Sequence, residues 1–171
     1  MGPAVSSARM ASLIPHVAVA FSPLGAAYLG VPFIPNVLWA RLRSREADSA
    51  TPNENQLLLT LERVGQVATT IAVLFTPASD SPGTARLACL VASLLATFLY
   101  ELSWLRYFRT DRSVASFYRS LGPVPLPLAL LPVLSILLLA LYEVHVVLRG
   151  AVVVLGVGHV GIHRQRARRL H

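Results

Sequence analysis

Lysine is absent from this 171-residue chain, and charged residues of all kinds make up only 13% of it. That is about half the charged share of an ordinary soluble domain. Cysteine is nearly absent as well. Cys89 stands alone, which excludes an intramolecular disulfide and any metal site built from several thiols. Two familiar chemistries are also missing. The run Gly156-Val157-Gly158-His159-Val160-Gly161 has the glycine spacing of a phosphate loop, but it lies inside an apolar stretch instead of between a strand and a helix. His159 and His163 have the four-residue separation of a zincin, but Val160 stands where that chemistry needs glutamate. No nucleophile–base pair is visible, so the reading leans away from an enzyme.

What the chain does have is long apolar runs, with 54% hydrophobic residues. A membrane-spanning helix needs roughly 20 mostly apolar residues, because the hydrocarbon core is about 30 Å thick. Five stretches qualify, at about 11–40, 57–77, 84–105, 124–142 and 145–163, followed by a basic tail over 164–171. The first contains Pro15, Pro23, Pro32 and Pro35, so it should be kinked or broken, since proline removes a helix hydrogen bond. Residues 126–163 are too many for one crossing, and Glu143 and His145 are their polar break. A tight turn there makes an antiparallel helix pair. The expected fold is therefore one all-α membrane domain over 1–171, a bundle of about five helices. A signal-peptide reading competes at the N-terminus, with Ala18-Val19-Ala20 as its small-residue site. Its basic region holds only Arg9, and the apolar run continues towards Trp39.

All 15 basic residues are arginine, giving a net charge of +7. Eleven of them fall in three short segments, Arg41/Arg43/Arg45, Arg106/Arg109/Arg112/Arg119 and Arg164/Arg166/Arg168/Arg169. They flank spans, not a soluble recognition surface, so a nucleic-acid partner is not expected. Arginine-rich short loops stay cytoplasmic. With five spans the three segments share one side, giving an outside N-terminus and a cytoplasmic C-terminus. The missing lysine, beside abundant Ala, Val, Leu and Arg, points to a GC-rich bacterial genome and hence a bacterial plasma membrane.

Between spans three and four, Trp104, Tyr107, Phe108, Phe117 and Tyr118 are interleaved with arginines. This pattern predicts an interfacial amphipathic helix, with Asp111 able to cap a helical turn. Arg106, Arg109, Arg112, Arg164, Arg166, Arg168 and Arg169 are the expected lipid-interface anchors. Their partners would be the bilayer and its anionic headgroups, each contact worth about 1 kcal/mol. A homo-oligomeric or membrane-protein partner also fits.

Ionisable groups inside a span are costly, so each is a candidate site. Glu62 and Gln66 share a helix face, continued by Thr69 and Thr70. Cys89, Ser93, Thr97 and Glu101 form a small-polar stripe, and His159 and His163 share a face with Gly156. Asn36, Glu62, Glu101 and His159 should all lie about 6–8 Å below the cytoplasmic boundary at 1.5 Å per residue. Asn36, Glu62, Gln66, Glu101, His159 and His163 are therefore the candidate polar pocket. Two carboxylates and two imidazoles at one level can relay protons, hold a polar ligand or bind a divalent metal, with His159 and His163 as the metal candidates. No cofactor is indicated, and the structural reading, in which these groups only pair with arginines near the interface, stands beside the functional one. The glycines near His159 suit close helix packing.

The fragments Pro35-Asn36, Asn55, Leu58, Leu61 through Gln66, Trp104 through Phe108, Phe117-Tyr118, Pro125, Pro127, Leu131-Pro132 and Gly156 through His163 resemble a family of small multi-pass bacterial membrane proteins with no assigned function. The resemblance covers about residues 31–163. It implies a membrane fold and supplies no activity or cofactor. Three functions remain open: a transporter-like or ligand-sensing protein using the cytoplasmic-side cluster, a non-catalytic accessory subunit, and a membrane-embedded enzyme.

Overall fold

The computed structural model describes residues 19–42, 54–77 and 82–169. They form an all-helical bundle of six helices with one small strand pair. In chain order the elements are β1 (Val19–Phe21), α1 (Pro23–Leu42), α2 (Gln56–Leu74), β2 (Phe75–Pro77), α3 (Thr84–Phe108), α4 (Val114–Tyr118), α5 (Pro127–Tyr142) and α6 (Val146–Arg168). Three helices, α2, α3 and α6, are long and apolar enough to cross a membrane. α1 has 20 residues but carries Pro32, Pro35 and Asn36, and α5 has 16 residues. At 1.5 Å per residue α5 is only about 24 Å long.

Beside an apolar core, the bundle buries small polar side chains and leaves large apolar ones on its surface. Ser93, Thr69 and Ser135 are buried, whereas Phe33, Phe98, Leu95, Val67 and Val146 are exposed. This is how a bundle in lipid is arranged, because hydrocarbon solvates apolar side chains and offers polar ones no partner. The polar stripe on α3 turns inward accordingly. Ser93 Oγ donates to the Ser135 carbonyl at 2.7 Å, and the Thr97 and Ser135 hydroxyls lie 2.6 Å apart. These bonds tie α3 to α5 in the middle of both helices.

α2 and α6 pack antiparallel along a glycine seam. A Cβ on Gly65 would collide with the Leu155 backbone, and one on Gly158 with the Glu62 backbone and the Leu58 carbonyl. A Cβ on Gly161 would press on the Leu58 side chain. Glycine is therefore required at Gly65 and Gly158 for the backbones to approach this closely.

One end of the bundle is closed by turns. Within the expected first span, residues 19–21 are not helix but strand β1, paired antiparallel with β2 from Val19↔Pro77 to Phe21↔Phe75; the part from Ala11 lies outside the described residues. Ala18, of the alternative signal site, lies outside the described residues, as do Pro15 and Arg43. The helix begins at Pro23, where a missing N–H costs nothing. Ser22 Oγ accepts from Gly25 N at 2.9 Å and caps it. The predicted turn at Glu143 and His145 is present, with Val144 at φ 54°. His145 Nδ1 accepts from Leu148 N at 3.3 Å, capping α6. Its Nε2 therefore carries the proton and donates between the Ala72 and Phe75 carbonyls at 3.1 and 3.0 Å. The α5–α6 turn is thus pinned to the end of α2. Ser22 Oγ also donates to the buried Glu143 carboxylate at 3.4 Å. Burial pushes that carboxyl up to about 6, against the lowering effect of the Ser22 bond.

The other end differs from expectation. No long interfacial helix follows α3. Instead α3 runs to Phe108, and after a bend α4 forms only five residues. Ser113, not Asp111, is the N-cap of α4, and Asp111 Oδ1 accepts from the Ser113 amide and hydroxyl. Those bonds, the amide foremost, hold the Asp111 carboxyl below its usual range. Nor do the aromatics form a lipid-facing belt. Trp104 is 2% and Tyr107 4% exposed, in a knot with Phe108, Phe117 and Trp39. Edge-to-face contacts of this kind add about 0.5–1.5 kcal/mol each beyond area burial, so an inward knot outweighs a belt here.

Candidate functional site

The site lies where the start of α2 meets the end of α6. Asn55 begins α2, its side-chain oxygen accepting from Leu57 N and Leu58 N at 2.9 and 3.3 Å. This fixes the phase of the helix, so Glu62, two turns on, faces α6. The glycine seam then brings the α6 backbone against Glu62 itself. His159, the residue after Gly158, donates from Nδ1 to Glu62 Oε1 at 2.6 Å. One turn further along α6, His163 lies ring to ring with His159 at 4.5 Å. Ligand atoms of Glu62, His159 and His163 all lie within 4.8 Å of one another.

His163 is buried at 8% exposure, and its Nδ1 has no hydrogen-bond partner. α4 covers it. The Phe117 ring stacks on the imidazole at 5.7 Å and 17°, and Tyr118 leans on it at 5.8 Å. Glu62 and His159 retain 22% and 24% side-chain exposure, so the cluster opens on that side and is closed on the other. Next to it, Arg166 Nε donates to Glu54 Oε1 at 2.5 Å. Burial pushes the Tyr118 hydroxyl up, and the neighbouring Arg166 guanidinium pulls it back down.

The six pocket residues expected from the sequence separate into two groups. Glu62, His159 and His163 come together. Asn36 does not join them, as its amide donates to Tyr100 Oη at 2.9 Å and to the Pro32 carbonyl at 2.7 Å, tying α1 to α3. Gln66 is exposed. Glu101 is half-buried on α3, its Oε1 without a hydrogen-bond partner, and is not among the three clustered residues. Helix phase explains the split. Leu58, Glu62 and Gly65 lie within about 60° of one another around the helix axis, whereas Gln66 is about 100° from Gly65 and falls off that face. Equal depth along the axis does not put residues on equal faces.

Two of the expected lipid anchors have partners inside the protein. Arg106 donates to the carbonyls of Arg119 and Ser120, both at 2.9 Å, bracing the link between α4 and α5. Arg166 holds Glu54. Arg164 and Arg168 instead line a groove of about 540 Å³ with Tyr118, Arg119 and Ser120. The covering role of Phe117 and Tyr118 and the Glu54–Arg166 pair escaped the sequence reading. Arg166 lies one helical turn past His163, which was the available signal for placing it on the same face.

Comparisons with protein-family models, curated proteins and solved structures return no match.

Proposed function

We propose that this chain is a multi-pass protein of a bacterial plasma membrane that binds a polar ligand through Glu62, His159 and His163, in a transporter-like or ligand-sensing role. The observation carrying this reading is the unpartnered Nδ1 of His163. A buried polar atom without a partner costs about 1–3 kcal/mol, and this one sits beside the Glu62 and His159 ligand atoms. The accessory-subunit reading draws less support, because the Ser93–Thr97 stripe is engaged within the chain by Ser135.

In the proposed topology α1, α2, α3, α5 and α6 all cross. In its favour, contacts gather alternate helix ends: His145 with Ala72 and Phe75 at one end, Asn55 with Gln165 and Arg166 with Glu54 at the other. Arg106, Arg109, Arg112, Arg164, Arg166 and Arg168 belong to the second end, which we assign to the cytoplasm. The cluster then opens near the cytoplasmic boundary. Reporter fusions after Arg169 should read inside and fusions near Ser79 outside; the reverse would overturn the orientation.

The binding role is tested by native mass spectrometry of the detergent-purified protein. The wild type should retain a ligand that His159→Ala and Glu62→Gln lose while membrane insertion stays normal. If the variants only misfold, or shed a protein partner instead of a ligand, the pocket reading fails.

A further inference from the structure

Glu62, His159 and His163 offer one carboxylate and two imidazoles, the donor set that proteins use for divalent first-row metals and for zinc in particular. We propose that this cluster is a zinc-type metal site, held by the Glu62 carboxylate and one ring nitrogen from each of His159 and His163, with a fourth position left for water or a ligand. The inference rests on the pocket reading above and names what the pocket takes.

Three independent features of the structure carry it. The first is spacing: around a tetrahedral zinc with bonds of about 2.0–2.1 Å, neighbouring donors are about 3.3 Å apart. Here the donors lie within 4.8 Å of one another, so movements of about 1.5 Å by the partly exposed Glu62 and His159 side chains close the site on His163 without moving a helix. The second is the unpartnered Nδ1 of His163, in a side chain only 8% exposed. In the tautomer that protonates Nε2, this nitrogen offers a lone pair that a metal ion can take up. The third is support around one donor. Phe117 and Tyr118 hold the His163 ring from α4, fixing it against rotation. Metal binding would exchange the 2.6 Å Glu62–His159 hydrogen bond for bonds from these two groups to the ion.

The remaining exposure of Glu62 and His159 provides the way in. It also keeps one coordination position open, which separates a site that receives a ligand or passes an ion from a closed structural one. A divalent ion would meet one formal negative charge, from Glu62, with Arg166 already held by Glu54.

The test uses the full-length, untagged chain in detergent, stripped with a chelator. Titration with Co²⁺ as a spectroscopic stand-in for Zn²⁺ should give ligand-field absorption that saturates at one metal per chain and is bleached by added Zn²⁺. His159→Gln and His163→Gln should each weaken binding by at least about 100-fold. That is the upper end of what loss of an outer-shell partner alone produces. Glu62→Gln should weaken it by at least about 10-fold. Each variant is accepted only if its metal-free melting temperature matches the wild type. The wild-type titration stands even if every variant unfolds, because a missing ligand-field band alone overturns the metal site. An undiminished band in folded His163→Gln overturns it too. If the wild type binds no metal but retains an organic ligand that His159→Ala loses, the metal site falls and the pocket reading survives. If it retains neither, both fall.

Discussion

Two glycines on one helix, Gly158 and Gly150 of α6, should respond in opposite directions to the same added methyl group. At Gly158 a Cβ would stand 2.6 Å from Glu62 Cα and 2.8 Å from the Leu58 carbonyl oxygen, both backbone atoms that cannot rotate away. α2 and α6 must then separate, and forcing a methyl into a packed contact costs about 1–3 kcal/mol. At Gly150 nothing lies within 4 Å, so alanine meets no obstacle and gains about 0.8–1.0 kcal/mol of helix propensity. The propensity gain applies to both alanines and cancels, so the two variants should differ by the packing cost of about 1–3 kcal/mol, or roughly 2–12 °C in melting temperature for a protein of this size. Thermal unfolding of the purified protein in detergent, followed by circular dichroism, measures the gap. Because the same seam sets the distance from Glu62 to His159, Gly158→Ala should also weaken Co²⁺ binding, whereas Gly150→Ala should leave it intact. Equal stability of the two variants would refute the close approach of α2 and α6, and with it the basis of the site.

Ser135→Ala should destabilise the bundle by about 0.6–1.7 kcal/mol, the range for hydrogen bonds between helices in a membrane, read as loss of resistance to SDS unfolding. An unchanged curve would mean that the Thr97–Ser135 contact does not form. His145→Ala should cost about 0.5–2 kcal/mol through the lost α6 cap, with Asn at that position recovering part of it; a neutral effect would argue against the cap. Glu143, raised to about 6 by burial, favours its protonated form in the fold, so its contribution is full below the unfolded value near 4.5 and lost as pH rises through about 6. The size is about 2 kcal/mol for a shift of this order, and Glu143→Gln should abolish the pH dependence between about 4.5 and 6 while raising stability at pH 8. A wild-type melting temperature that climbs over that window would contradict the burial of Glu143.

How much of this was legible in the residues depends on which coordinate a pattern reports. Apolar run lengths report position along the membrane normal, and they located the helices, the turn at Glu143–His145 and the matching depth of Glu62 and His159. They report nothing about rotation around each helix axis. That is why Glu101 and Asn36 were grouped with Glu62 and do not join it; Gln66 was grouped by its four-residue spacing, which is too coarse to keep it on the narrow seam. The glycine run Gly156 to Gly161 did carry rotational information, because close packing demands glycine on the facing side, and it marked the α2–α6 seam. The aromatics of residues 104–118 misled for a related reason. An aromatic stripe beside arginines has the same composition whether it lines a bilayer surface or folds into a knot, and α4 is too short to declare a face of its own. Strand β1 was hidden by the apolar run it belongs to, since its pairing with β2 is set by residues over 50 positions away.

Comparing the histidines at the two ends of the bundle separates structural use from functional use without reference to any relative. His145 is fully engaged: one ring nitrogen accepts from Leu148 and the other donates to Ala72 and Phe75. Every bond it makes holds a helix end, and no capacity is left for a ligand. Glu143 beside it keeps one unpartnered buried oxygen, Oε2, but a carboxyl can relieve that by taking up a proton, in keeping with its raised value near 6. At the opposite end Glu62 and His159 satisfy each other, while His163 keeps a ring nitrogen with no partner under an aromatic cover. Whichever tautomer the ring adopts, that nitrogen finds neither a donor nor an acceptor among the described residues. Both ends hold an acid and histidine in a helical turn or seam, so composition alone would rank them equally. Arg149 Nε at the turn end is likewise without a partner, so what sets the Glu62 end apart, and supports the site proposed there, is the clustering of three ligand atoms around the unpartnered nitrogen.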